Sequence, residues 1–201
     1  YCGVIIDNTY LYMGTDNGIL IYNYRTDRYE QPATDFPTDV RTMALQGDTL
    51  WIGALNGLYT YQLQNRKLSP LDTKRNGLPH NTIYSIIRTG DNQIYVGTYN
   101  GLCRYIASNG KFEKIPLPVN SSQSNLFVNS LLEDTGRQCI WIGTEGYLFQ
   151  YFPSTGQMKQ TEAFHNNSIK SLALDGNGDL LAGTDNGLYV YHNDVTPLQH
   201  I

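Results

Sequence analysis

One nine-residue pattern recurs five times along the chain and governs what it can fold into. It reads Gly14-Thr15-Asp16-Asn17-Gly18-Ile19-Leu20-Ile21-Tyr22 at its first appearance. It returns as G-A-L-N-G-L-Y-T-Y from Gly53, G-T-Y-N-G-L-C-R-Y from Gly97, G-T-E-G-Y-L-F-Q-Y from Gly143 and G-T-D-N-G-L-Y-V-Y from Gly183. The marker glycines stand 39, 44, 46 and 40 residues apart, so five copies account for nearly all of residues 1–201 and leave no second domain. A period of this length is the mark of a repeat architecture, in which each unit buries its apolar face only against its neighbours.

Each copy holds four strand-length pieces. An apolar run opens it, as in Ile83-Tyr84-Ser85-Ile86-Ile87, and a polar turn such as Gly90-Asp91-Asn92 follows. A second run ends on the marker glycine, as in Leu50-Trp51-Ile52 and Ile140-Trp141-Ile142. The Asn-Gly turn leads to a third run such as Leu58-Tyr59-Thr60-Tyr61, and a further turn (Ser154-Thr155-Gly156-Gln157) leads to a fourth. Short runs joined by Gly, Asn and Asp turns read as antiparallel hairpins. No segment carries a helical stripe, so no helix is expected. Four strands per ~40–50 residues predict an all-β propeller of four-stranded antiparallel blades. Runs such as Ile19-Leu20-Ile21-Tyr22 lack strict alternation, which suits sheets covered on both faces, as blades are by their neighbours. Strands are expected over Val40–Leu45, Thr49–Gly53 and Gly57–Tyr61, and at equivalent places in the other copies.

Composition narrows the function classes. Fourteen Lys and Arg against eighteen Asp and Glu give a net charge of −4, without the basic excess that binding a phosphate backbone requires. No apolar run approaches the ~18–20 residues of a membrane helix. Cys2, Cys103 and Cys139 are far apart and form no C-x-x-C pair, so they read as buried free thiols and not as a zinc or redox site. The opening Tyr1-Cys2-Gly3-Val4 reads as a cut inside a longer protein.

Other motifs have plain structural readings. Asp175-Gly176-Asn177-Gly178-Asp179 opens like a calcium loop, but position twelve is Asn186 where a Glu is needed, so a hairpin turn is expected. His80, His165, His192 and His200 include no pair three or four apart; His80 and His165 both fall in connections entering a first strand. The tyrosines mostly repeat at fixed phase, which is packing. Tyr99 breaks that repeat inside a turn. No nucleophile elbow, phosphate loop or H-E-x-x-H is present, and neither catalysis nor a cofactor or metal is expected.

The third copy runs Leu78-Pro79-His80-Asn81-Thr82-Ile83-Tyr84-Ser85-Ile86, then Asp91, then Ile94-Tyr95-Val96-Gly97-Thr98 and Gly101-Leu102. This resembles the two-component regulator propeller repeat, and all five copies follow it in phase. Departures are specific. Trp is kept only at Trp51 and Trp141, with Tyr12, Tyr95 and Leu181 at the same place elsewhere. Ala54 replaces Thr, and Gly146 stands one place early, so the fourth turn departs from the pattern.

The resemblance implies the periplasmic sensor region of a membrane-anchored hybrid histidine kinase of Bacteroides type. It implies a ring of seven blades, of which five are here, and response to polysaccharide-derived oligosaccharides. The kinase would lie elsewhere in the parent protein. Expected partners are the remaining blades, a neighbouring domain and a second receptor copy. The alternatives are a protein-interaction scaffold and a polysaccharide-degrading propeller enzyme. Antiparallel order places the connection into each first strand on one face with the turn between second and third strands. The ligand-contact expectation there falls on Tyr99, His80, Arg41 and Glu145. Arg41 is included because a guanidinium at that edge can bond sugar hydroxyls or pair with a uronate.

Overall fold

The computed structural model describes residues 2–30, 32, 34–118, 127–161, 167–192 and 199–200. Each copy of the repeat forms one four-stranded antiparallel sheet in meander order. Blade 1 holds β1 (Cys2–Ile6), β2 (Tyr10–Thr15), β3 (Gly18–Asn23) and β4 (Arg28–Glu30). Blade 2 holds β5 (Val40–Gln46), β6 (Thr49–Ala54), β7 (Gly57–Gln62) and β8 (Lys67–Leu71). Blade 3 holds β9 (Ile83–Arg88), β10 (Ile94–Thr98), β11 (Gly101–Ile106) and β12 (Lys111–Ile115). Blade 4 holds β13 (Val128–Asp134), β14 (Cys139–Thr144), β15 (Leu148–Phe152) and β16 (Gln157–Thr161). Blade 5 holds β17 (Ile169–Leu174), β18 (Leu180–Thr184), β19 (Gly187–Tyr191) and β20 (Gln199–His200). The first strands β1, β5, β9, β13 and β17 contact one another in sequence, which places them on the inner side of a propeller arc.

The core is four apolar layers, each between consecutive blades. Ile21, Val40 and Ile52 belong to the layer between blades 1 and 2; Trp51, Ile83 and Val96 to the next. Tyr95, Val128 and Phe149 fill the layer between blades 3 and 4; Trp141, Ile169 and Tyr191 fill the last. The marker glycines are sockets in these layers. A Cβ on Gly14 would stand 2.6 Å from Val40 Cγ1, one on Gly53 2.5 Å from Ile83 Cγ2, and one on Gly97 2.6 Å from Val128 Cγ1. One on Gly143 would stand 2.6 Å from Ile169 Cγ2. Each β-branched residue opens the first strand of the following blade and seats where a side chain is missing.

Gly183 differs: its notional Cβ meets Ser171 Oγ at 2.5 Å and nothing else nearer than 3.9 Å. Leu188 repeats the difference. Its counterparts Ile19, Leu58, Leu102 and Leu148 are 4, 0, 0 and 0% exposed, whereas Leu188 is 38% exposed. The other large exposed apolar side chains among the described residues, Ile5, Leu20, Tyr24 and Tyr29, all lie in blade 1. The described arc is therefore uncovered at both ends.

The structure makes two corrections. A single-turn helix, α1 (Thr73–Asn76), occurs where no helix was expected. The Asp72 carboxylate caps it by accepting from Lys74 N and Arg75 N at 2.9 and 2.7 Å, and Gly77 closes it with φ +73°. Four residues are too few to show an amphipathic stripe, so only the cap could have signalled it. The fourth turn keeps its register despite Gly146: Gly143 pairs Leu148 as Gly97 pairs Leu102. The left-handed residue simply moves one place earlier, to Gly146 at φ +94°. The Asp175 segment is a hairpin turn in which Asp175 Oδ1 accepts from Asn177 N and Asp179 N, both at 2.8 Å.

Candidate functional site

The two groups of connections do meet on one face. Leu55 N donates to Asp39 O at 3.3 Å, Tyr99 N to Thr82 O at 3.0 Å, Gly146 N to Asn167 O at 3.2 Å and Asp185 N to Ser168 O at 3.3 Å. In each case the turn between second and third strands is tied to the approach into a first strand, that of its own blade or, for Gly146, that of the next blade.

The first strands also begin with a bulge. Register shifts leave Arg41, Tyr84, Asn129 and Lys170 unpaired between the buried residue that plugs the glycine socket and the next paired residue. A bulged residue escapes the strict alternation of the strand and can be aimed out of the sheet. These four side chains therefore form a series around the inner rim of the same face.

Blade 3 turns this rim into an aromatic cluster. The His80 ring lies 4.9 Å from the Tyr99 ring at 32°, and His80 Nδ1 accepts from Thr82 N at 3.0 Å, which fixes the ring's orientation. Tyr99 contacts Phe127 at 4.1 Å, and Phe127 contacts Tyr84 at 6.2 Å. All four are half-buried. The Tyr84 hydroxyl is held above the usual tyrosine range, first by burial and then by the Glu145 carboxylate and Tyr99, against the pull of Arg41. Tyr84 thus sits within the field of three of the four expected residues.

The structure joins His80 and Tyr99 directly and sets Arg41 and Glu145 on either side of Tyr84. Arg41 is not a free guanidinium: its Nη2 lies 3.7 Å from Asp39 Oδ1 and 4.0 Å from Asp16 Oδ1, with 44% of the side chain exposed. Lys170 is paired likewise with Asp185 at 3.4 Å. His165, Asn125 and Asn166 lie outside the described residues. His192 is engaged elsewhere, 2.7 Å from Asp179 Oδ2. Sequence reading missed Tyr84 and Phe127. Tyr84 occupies the same repeat position as Arg41, and that phase was the available signal. Phe127 carried none.

A profile of the two component regulator propeller family matches residues 77–100, which include His80, Tyr84 and Tyr99. The chain carries a two component regulator propeller repeat. Over its whole length this propeller is 91% identical, with a TM-score of 0.96, to part of the extracellular domain of BT4673 from B. thetaiotaomicron. One crystal structure describes that protein as a one component system and another as a hybrid two component system. The chain spans 27% of that domain's length. The extracellular domain of BT3049 from the same organism, described as a hybrid two component system, shares the fold at 18% identity and a TM-score of 0.74. That match covers 96% of this chain and 27% of the other. No curated protein sequence matches the chain. Among the described residues no helix is long and apolar enough to cross a membrane.

Proposed function

We propose that this propeller is a ligand-sensing, non-catalytic segment in the periplasmic part of a membrane-anchored hybrid two-component sensor kinase. Its ligand is a polysaccharide-derived oligosaccharide held at the inner rim. The cluster His80–Tyr99–Phe127–Tyr84 carries this reading. Aromatic side chains with polar tips present apolar faces to sugar C–H surfaces and hydrogen-bonding groups at their edges. Glu145 flanks them as an acceptor and Arg41 as a donor already oriented by Asp16 and Asp39.

The contact would bridge blades 2, 3 and 4. A ligand that binds one blade arrangement better than another shifts the population by that difference, which is what a sensor transmits. The uncovered faces of blades 1 and 5 take further blades of the same polypeptide, closing a seven-bladed ring. In the intact receptor, alanine at Tyr99, His80, Tyr84, Arg41 or Glu145 is expected to reduce ligand-dependent induction of a transcriptional reporter. Full induction in all five, with normal folding, moves the ligand site away from this rim.

A further inference from the structure

The second position before each marker glycine faces the following blade. In blades 1 to 4 it holds Tyr12, Trp51, Tyr95 and Trp141, one in each successive core layer. Trp51 and Trp141 are buried, and each indole N–H donates to the residue that closes its own blade's first strand. The acceptors are Gln46 Oε1 and Asp134 Oδ2, both at 3.0 Å. In the tyrosine blades the equivalent positions are Ile6, which closes β1, and Thr89, which follows the last residue of β9. Ile6 has no side-chain acceptor, and the Thr89 hydroxyl donates to Asp91 at 2.5 Å and already accepts from Gln93 N at 3.2 Å. The smaller ring and the missing partner occur together.

A cavity opens at this level in both layers. One of about 350 Å³ lies between blades 1 and 2, lined by Ile6 and Tyr12; one of about 720 Å³ lies between blades 3 and 4, lined by Thr89 and Tyr95. Their walls correspond: Leu63 and Gln64 in the first take the places of Pro153 and Ser154 in the second. Both are lined by turns between first and second strands, so they open at the end of the blades opposite the aromatic rim.

Arg104 lines the larger cavity; Arg104 Nη2 is held by Glu113 Oε2 at 2.8 Å and the Tyr95 hydroxyl hydrogen-bonds the Arg104 side chain, while Arg104 Nε is buried and has no acceptor among the described residues. A buried unpaired donor is unfavourable, so an occupant that offers it an oxygen is favoured. Asp91, Glu133 and Asp134 also line the space. An anion would face these carboxylates with one guanidinium in compensation, and a cation would leave Arg104 Nε unpaired and repelled. Asp134 is occupied by Arg137 and Trp141, whereas among the described residues Glu133 accepts only the Gly90 N–H and keeps lone pairs for O–H donors. A hydroxyl group accepts and donates at once, and adjacent hydroxyls on one ring can serve Arg104 and the carboxylates together. We propose that the cleft between blades 3 and 4 binds a neutral polyhydroxylated ligand, a monosaccharide or the end of a short saccharide, and that the Tyr95-for-Trp replacement is what makes the room.

The test uses the complete extracellular domain, titrated with glucose, galactose and arabinose against galacturonate and glucosamine as charged comparators, and followed by saturation-transfer NMR. At least one neutral sugar is expected to saturate in the millimolar range and to outcompete both charged ones. Tyr95→Trp, which restores the side chain of blades 2 and 4, is expected to weaken binding by ~tenfold or more. Arg104→Met weakens it without filling the cleft, and decides the matter if Tyr95→Trp does not fold. Lys74→Ala, on the exposed single-turn helix α1 and outside both the cleft and the rim, leaves it unchanged. The proposal is overturned by any of four results: no saturable neutral sugar, preference for a charged one, unchanged affinity in Arg104→Met and in any folded Tyr95→Trp, or loss of binding in Lys74→Ala.

Discussion

Gly143 and Gly183 form a matched pair that tests whether another blade follows the fifth. Both are the next-to-last residue of a second strand, and both have a serine hydroxyl, Ser130 or Ser171, where a new Cβ would go. They differ in one neighbour. The Gly143 Cβ would also stand 2.6 Å from Ile169 Cγ2 and 3.1 Å from Ile169 Cβ, while at Gly183 no second atom comes within 3.9 Å. A serine hydroxyl rotates aside at little cost. The Ile169 side chain is 0% exposed and cannot move without separating blades 4 and 5. Gly143→Ala is therefore expected to cost ~1–3 kcal/mol through overpacking. Gly183→Ala in the 201-residue chain is expected to be near neutral, since Ala loses less backbone entropy than Gly in a strand by ~0.5–1 kcal/mol. At ~2–4 °C per kcal/mol for a chain of this size, the pair should separate by several degrees in a melt. In the longer extracellular domain Gly183→Ala should become as costly as Gly143→Ala, because the next blade's β-branched residue then fills the socket. Urea unfolding of both variants in both lengths is the assay. Equal costs in the short chain would refute the socket argument, and a harmless Gly183→Ala in the long domain would refute the following blade.

Other consequences are equally concrete. Gly187 sits at φ +114°, so Gly187→Val should destabilise by ~1–3 kcal/mol, whereas Gly176→Ala, with nothing within 4 Å and no positive φ, should not; thermal melts compare them directly. Burial alone would raise the Asp134 carboxyl, but bonds from the Trp141 indole and from the Arg137 backbone and guanidinium outweigh it and hold the carboxyl below the usual range. A lowered folded value means that the stability it contributes is present above the unfolded value of ~3.9 and is lost as pH falls through the lower one. Asp134→Asn should therefore reduce stability near neutrality and flatten its acid limb, read from urea midpoints at several pH values. Burial pushes the Cys103 thiol far up and Cys139 is 2% exposed, so an aromatic disulfide reagent should label neither until the protein is unfolded.

Much of this was legible in the residues because a propeller blade is a local object. Strand lengths, the marker glycines and the Asn-Gly turns repeat within ~40 residues, and the hairpins they specify close between neighbours in sequence. The common face followed from antiparallel order alone, and with it the placement of His80 and Tyr99 on one face; that their rings touch came from the structure. The sequence also displayed the exchange of Trp for Tyr at Tyr12 and Tyr95, but as a departure without a consequence. Only the packing of one blade on the next showed why Gly14, Gly53, Gly97 and Gly143 must lack side chains: each faces a β-branched residue of the following copy, outside its own period. The same holds for Tyr84, which a bulge lifts out of the strand alternation to meet Phe127, and for Arg41, which Asp16 and Asp39 hold in place. The repeat therefore determined what each blade is, and tertiary contact decided what lies between blades, because a layer's filling depends jointly on side chains from two copies that no local pattern couples.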